Sequence, residues 1–265
     1  MTSALPGARV DAAVTAWGEA LRRIAAAEPR MRQYAGRHET YMVFTGSPAE
    51  STNGVFSFGR SPDPEEIGRL ADRAAETAKS FPEPVPWCLQ VRDRPDERVR
   101  AVARGHGMTQ TSWEPFLVRD LNAAPPARDT GGTLRVRVLT GAEYDLYVRA
   151  LGAGFEAPAE MFASLFTAAV MDAPGITAYV GEVGGEPVST AMSIVTDGHV
   201  GVFNISTAPD HRRRGYGAAL TEEVVSRGRV AGAGTAYLRS TDMALPLYTS
   251  LGFELVEHWT YLSAP

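Results

Sequence analysis

Along the second half of the chain the hydrophobic pattern switches between periods of two and of three to four. Residues 134–139 alternate apolar and polar, as a half-buried strand does. Segments 142–155 and 158–171 carry apolar residues at helical spacing. Runs 177–183 and 187–195 flank Gly184-Gly185 and predict a hairpin. Asp197-Gly198 marks a second tight turn, before a strand over 200–206. Segment 214–231 predicts a helix and 236–239 a strand. A short helix over 243–251 ends at Gly252, and 253–262 closes as a strand. The predicted order is β-α-α-β-β-β-α-β-α-β.

The first half predicts a helix over 10–27, strands over 40–44 and 55–58, and a helix over 64–81. A strand over 87–92, a helix over 97–103 and a strand over 110–120 follow. Its later part repeats the strand-helix-strand-helix-strand order of the other half. Two short echoes support a duplication. Asn53-Gly-Val-Phe-Ser-Phe resembles His199-Val-Gly-Val-Phe-Asn, and Val102-Ala-Arg-Gly-His-Gly-Met-Thr resembles Leu247-Tyr-Thr-Ser-Leu-Gly-Phe-Glu. Gly54 and Gly201 are 147 residues apart, Gly107 and Gly252 are 145 apart. Between the halves, 122–132 (NAAPPARDTGG) has no apolar periodicity and reads as a linker. The expectation is an α/β protein with a mixed, largely antiparallel sheet in each of two similar domains, residues 1–121 and 133–265.

Composition changes this picture only by exclusion. With 44% apolar and 22% charged residues, the 265-residue chain is of ordinary globular make-up. A net charge of −5 argues against binding nucleic acid through whole-surface charge. Cys88 is the single cysteine, so neither an intrachain disulfide nor a multi-cysteine metal site can form, and no metal is expected. Cys88 falls in a predicted strand and reads as a small core residue. No apolar run is long enough for a membrane span, and the first residues lack signal-peptide features. The expectation is a soluble cytoplasmic protein.

The informative stretch is Thr207-Ala-Pro-Asp-His-Arg-Arg-Arg-Gly-Tyr-Gly-Ala-Ala-Leu, which leaves a predicted strand and opens a predicted helix. Three arginines near the positive end of a helix oppose its dipole by about 0.3–1 kcal/mol each. An anion there removes the conflict. Free backbone N–H groups, close approach at Gly215 and Gly217, and guanidinium charge suit a phosphate or pyrophosphate. Read alone, the stretch also fits a solvated basic turn. The Lys-Ser/Thr pair of a Walker A loop is absent, and so is the third glycine of the dinucleotide fingerprint.

The stretch Arg212-Arg213-Arg214-Gly215-Tyr216-Gly217 resembles the pyrophosphate loop of the GCN5-related N-acetyltransferase (GNAT) superfamily. Downstream, Ala244-Leu-Pro-Leu-Tyr248-Thr-Ser-Leu-Gly252-Phe253 resembles that family's Ala-x-x-x-Tyr-x-x-x-Gly-Phe motif. The resemblance covers about residues 134–262. It implies acetyl-CoA as acyl donor, with pantetheine along Ile205 and Thr207 and pyrophosphate at the N–H groups from Arg212 to Ala218. It implies direct transfer to an acceptor, usually an amine. A main-chain N–H near Thr207 would hold the oxyanion, and Tyr248 would protonate the leaving sulfur. Tyr248 also fits a plain packing role between helix and sheet. Many family members carry Asn where Thr241 stands, and a hydroxyl replaces only part of an amide's bonding.

No general base stands out. Glu156 is the named candidate, with Glu160 beside it where the family shapes its acceptor site. Asn204 and Ser206 are not strong bases, and His199 and His258 read as surface or core groups. A base acting through water is an equal alternative. In the first half, Arg60-Ser-Pro-Asp-Pro-Glu-Glu stands where the glycine loop would be, and Ala103 where Tyr248 would be. That half is expected to be a degenerate GNAT-like domain without CoA. Trp87, Trp113 and Phe116 are expected to pack. The leading expectation is N-acylation of a small-molecule amine, with a homodimer left open. The alternatives are a CoA-binding module without turnover, or transfer to a hydroxyl or a peptide amine.

Overall fold

The computed structural model describes residues 7–123 and 134–265. Most of the expected linker therefore lies outside the described residues. By packing, the chain forms two compact units. One comprises Met1–Ala27 with Leu117–Val256, the other Glu28–Phe116 with Glu257–Pro265.

In the first unit, α1 (Gly7–Ala27) buries Val10, Ala13, Val14, Trp17, Ala20 and Ile24, a stripe at three- and four-residue steps. The elements β6 (Arg135–Leu139), α4 (Tyr144–Phe155), α5 (Glu160–Ala163), α6 (Ala168–Met171), β7 (Ile176–Val183), β8 (Glu186–Thr196), β9 (His199–Thr207), α7 (Tyr216–Val230), β10 (Thr235–Arg239) and α8 (Leu245–Ser250) follow. The sheet order is β10-β9-β8-β7-β6, antiparallel except for the β9–β10 pair. Its core packs Val200, Val202 and Leu238 of the sheet on Leu220, Val224 and Val225 of α7 and on Tyr248, Leu251 and Phe253.

The second unit holds β1 (Arg32–Ala35), β2 (Thr40–Phe44), β3 (Asn53–Ser57), α2 (Pro64–Lys79), β4 (Cys88–Arg92) and α3 (Glu97–Gly105). Two long strands, β5 (Gln110–Asp120) and β11 (Glu254–Ser263), contribute a segment to each unit. Here too the strands are antiparallel except for one pair, β3–β4. The echoed glycines occupy matching places. Gly54 and Gly201 each lie in the strand paired parallel to its neighbour. A Cβ on Gly54 would stand 1.9 Å from the Cys88 carbonyl oxygen, and one on Gly201 would stand 2.6 Å from the Tyr237 hydroxyl. Neither strand pair leaves room for a side chain there.

Two elements differ from the sequence reading. The helix expected over 158–171 is two single-turn helices, α5 and α6. Thr167 breaks it: its backbone is extended (φ −74°, ψ 168°) and its Oγ1 caps α6 by accepting from the Val170 N–H. Strand β1 was not predicted, because its four residues are mostly exposed and carry no alternation. Trp113 is 52% exposed, which corrects its expected packing role, while Phe116 is fully buried. Among the described residues no helix is long and apolar enough to cross a membrane.

Candidate active site

The site begins where two parallel strands part. Pairing of β10 with β9 runs through Thr235–His199, Ala236–Val200 and Tyr237–Gly201 and ends there. On its other edge β9 stays paired with β8 as far as Thr207. The edge of residues 202–207 that faces β10 therefore has main-chain groups with no strand partner. Those groups need a partner from elsewhere when buried.

Helix α7 starts beside this opening. Its N-cap is Gly215, at φ +83°, a left-handed conformation that glycine adopts without steric cost, and no side chain caps the helix. The first main-chain bond runs from Ala219 N–H to Gly215 O at 2.9 Å. The N–H groups of Tyr216, Gly217 and Ala218 have no acceptor among the described residues. A Cβ on Gly217 would sit 3.7 Å from Ile205 Cγ2 and Leu247 Cδ2 and 3.8 Å from Thr207 Oγ1. Ile205, Thr207 and Leu247 thus all approach the α-carbon face of Gly217. The protein itself leaves space for a methyl group there, so the glycine widens a cradle instead of relieving a clash.

The three arginines have separate environments. Arg212 is a tie: it donates to Thr207 O (3.1 Å), to Gly154 O (3.0 Å) and to Glu156 Oε2 (2.7 Å). Arg214 donates to Asp210 O at 3.0 Å. Arg213 is exposed, in a left-handed backbone at φ +63°. Glu156, the candidate base, is the C-cap of α4 at φ +55°, a position glycine usually takes. Its carboxylate grips Arg212.

Tyr248 is buried in α8, with its ring edge-on to Phe253 at 6.1 Å. Its hydroxyl has no hydrogen-bond partner among the described residues. Burial pushes its pKa up to about 12, so it holds its proton at neutral pH. Thr241 is exposed in the turn before α8, where its carbonyl accepts from Ala244 N–H and from Ser240 Oγ. Glu160 is exposed on α5.

Sequence reasoning missed a buried hydroxyl group on β8. Thr190 Oγ1 donates to Asn204 O (2.9 Å) and lies 2.7 Å from Ser206 Oγ. Ser189 Oγ donates to Ser206 O and lies 3.0 Å from Thr207 Oγ1. Asn204 Nδ2 donates to the Tyr147 hydroxyl at 3.0 Å. The one available signal was the adjacent polar pair Ser189-Thr190 within a strand that is mostly apolar from Val188 to Val195.

In the second unit the start of α2 is capped by its own side chains, beside a cavity lined by Tyr34, Arg37, Asp63, Glu65, Glu66 and Arg69. Asp63 caps α2, its Oδ1 accepting from Glu65 N–H (3.0 Å) and Glu66 N–H (3.4 Å). Glu66 accepts from Arg37 N–H at 2.6 Å and pairs with Arg69 through two bonds. Strands β3 and β4 stay paired to Ser57–Val91, next to their ends. Beyond that, Arg92 donates to Phe58 O at 3.1 Å and grips the buried Glu257.

Hydrogen bonding from Arg69 lowers the Glu66 pKa from 4.5 to about 2. A depressed folded pKa gives stability that is present above about 4.5 and lost as pH falls towards 2. Glu66→Gln is therefore expected to unfold more easily in urea at pH 7. It is also expected to show a shallower loss of stability than wild type between those two pH values. Parallel acid curves for the two proteins would remove Glu66 from this role.

The first unit is thus a mostly antiparallel sheet whose one parallel pair parts beside a glycine-started helix, and the second unit has the same single parallel pair without the parting or the glycine start. Residues 142–253 match the model of the acetyltransferase (GNAT) family. A GCN5-related N-acetyltransferase from Kribbella flavida has a similar structure at 21% identity, with a TM-score of 0.70 over 96% of this chain and 95% of that one. Another, from Sphaerobacter thermophilus, has a TM-score of 0.59 at 17% identity, over 84% and 80%. Among curated proteins, the [ribosomal protein bS18]-alanine N-acetyltransferase of Escherichia coli K12 is 35% identical over 72 residues, 26% of this chain. The match spans about half of that relative's length, 49%.

Proposed function

We propose that the protein is an N-acyltransferase that takes acetyl from acetyl-CoA and passes it directly to a small-molecule amine. The observation that carries this reading is the parting of β9 and β10 next to the uncapped start of α7. An open strand edge and three unsatisfied N–H groups suit a pantetheine amide chain and a pyrophosphate. The missing side chain at Gly217 suits the donor's close approach. The Tyr216, Gly217 and Ala218 N–H groups would bind phosphate oxygens. Arg213 and Arg214 add positive charge, and Arg212 holds the loop to α4. Ile205 and Thr207 would flank the pantetheine, with Thr241 at the far side of the opening.

Acetyl-CoA supplies the activated acyl group as a thioester. The amine attacks the carbonyl carbon, and the carbon–sulfur bond breaks. A main-chain N–H near Thr207 would stabilise the oxygen as it gains charge. Tyr248 would hand its proton to the departing sulfur, and the proton released by the amine would leave through water. A phenol whose pKa is about 12 stays a donor throughout the usual assay range. The rate is therefore expected to rise with pH as the amine deprotonates and then to stay flat to about pH 10. A fall in kcat between about pH 8 and 10 would remove Tyr248 as the acid.

The start of α2, whose N–H groups are taken by Asp63 and flanked by Glu65 and Glu66, supports the reading that this half binds no CoA and serves as packing or acceptor-side structure. Calorimetric titration with acetyl-CoA is expected to give one site per chain. Two sites would overturn the assignment of the second unit, and no binding at millimolar donor would overturn the donor. The name of the ribosomal-protein relative favours a second reading, a peptide N-terminal amine as acceptor. Product mass from parallel panels of small amines and alanine-initiated peptides separates the two.

A further inference from the structure

We propose that Thr190 is a positioning residue for the donor site, its hydroxyl holding the one-residue bulge that turns Ile205 and Thr207 towards the start of α7. This rests on the donor reading above. The bulge is visible in the register: Met192 pairs with Phe203, but Thr190 pairs with Ser206. One extra residue of β9 is inserted between those pairs, and Asn204 there is left-handed at φ +56°.

The insertion switches which residues face which side. Before it, the even positions face α7. Val202 packs with Leu220 and Val224, and a Cβ on Gly228 of α7 would strike Val200 at 2.6 Å. After it, the odd positions do, since Ile205 and Thr207 both lie next to Gly217 of α7. Asn204 and Ser206 are turned to α4 instead. Asn204 bonds Tyr147, and a Cβ on Gly154 would strike Ser206 Oγ at 2.1 Å. In a regular strand Asn204 and Ser206 would face the helix start, and Ile205 and Thr207 would be turned away.

A left-handed conformation within a strand costs a non-glycine residue energy, less for asparagine than for most, and is held by its surroundings. Thr190 is fully buried and supplies that constraint. A hydroxyl has one proton. Thr190 gives its own to Asn204 O, so the 2.7 Å contact is donated by Ser206. Ser189 likewise gives its proton to Ser206 O and accepts from Thr207. Two adjacent β8 hydroxyls thus hold the bulge from Asn204 to Thr207, and of the two only Thr190 binds Asn204.

Thr190→Val keeps the shape and removes the donor, stranding the Asn204 carbonyl and the Ser206 hydroxyl. Two measurements test the proposal. In ligand-free protein, the HN–Hα coupling and carbon shifts of Asn204 report its backbone conformation. In the same protein, calorimetry gives the acetyl-CoA Kd, and kinetics give kcat and KM separately. Thr190→Val is expected to move Asn204 to extended values and to raise the Kd about tenfold. Thr190→Ser should restore both to within about twofold of wild type. Ser206→Ala, which removes the second contact, carries the same expectation as Thr190→Val and serves if that variant does not fold.

An unchanged Asn204 conformation in these variants would overturn the clamp. A changed conformation with unchanged Kd and KM would overturn its role in donor positioning. If wild type itself bound no acetyl-CoA, the donor reading would fail, and with it the positioning role. The Asn204 measurement would still decide whether Thr190 holds the bulge.

Discussion

Tyr248→Phe is expected to lower kcat for acetyl transfer by about 10²–10⁴-fold while acetyl-CoA affinity stays within about twofold of wild type. The separation follows from what the hydroxyl does in the fold. The ring packs on Phe253, and phenylalanine reproduces that contact. The residue is buried and its hydroxyl has no partner among the described residues, so its removal breaks no hydrogen bond there and leaves no group stranded. The thermal midpoint should therefore hold or rise. Under the proposed mechanism, what is lost is a proton donor for the leaving thiolate, a contribution made only as the carbon–sulfur bond breaks. Steady-state kinetics with a saturating amine, together with calorimetry of donor binding, reads both halves of the expectation. Unchanged kcat would return Tyr248 to a packing role.

Gly217→Glu should do the opposite: it should abolish donor binding and leave the fold intact. Position 217 lies in the first turn of α7, where an acidic side chain complements the helix dipole. Glutamate is also a better helix former than glycine by about 0.5 kcal/mol or more. The space around the position admits a Cβ at van der Waals distance. Stability should accordingly be equal or slightly higher. The carboxylate, however, would stand beside Ile205, Thr207 and Leu247, near the three free N–H groups at the helix start. Steric exclusion and like-charge repulsion should push the acetyl-CoA Kd up at least about 100-fold. A variant that stays folded and binds as wild type would show that the donor phosphates lie elsewhere. Gly217→Ala is the control, expected to show a smaller loss.

Local features explain which parts of this molecule could be read in advance. Strands β2 and β5 have the predicted bounds, because apolar residues and flanking turns are properties of a short window. The loop from Arg212 to Gly217 was legible for the same reason, as was Tyr248, which sits at a fixed spacing before Gly252 and Phe253. Thr167 shows the limit. A threonine inside an apolar run is compatible with helix until its side chain finds the Val170 N–H, and then it starts a new one.

Thr190, Ser189 and Tyr147 escaped notice because chain pairing brings them to the site. Nothing near residue 190 in sequence announces that it will lie against residues 204 and 206. Glu156 was noticed for its chemistry as an acid–base group. Its observed surroundings depend on a left-handed backbone and on an arginine 56 residues away.

The contrast between the two helix starts gives the halves of this chain different relations to their surroundings. Helix α2 closes its first turn with its own Asp63, so the order of that segment is independent of any solute. Helix α7 leaves the same groups open, and an anion that binds there favours the folded form by RT ln(1 + [L]/Kd), about 2.7 kcal/mol at one hundred times Kd. Protease resistance of the α7 region would then follow donor concentration, while that of the α2 region would not. An acyl donor in short supply would mark the chain for turnover at one helix only.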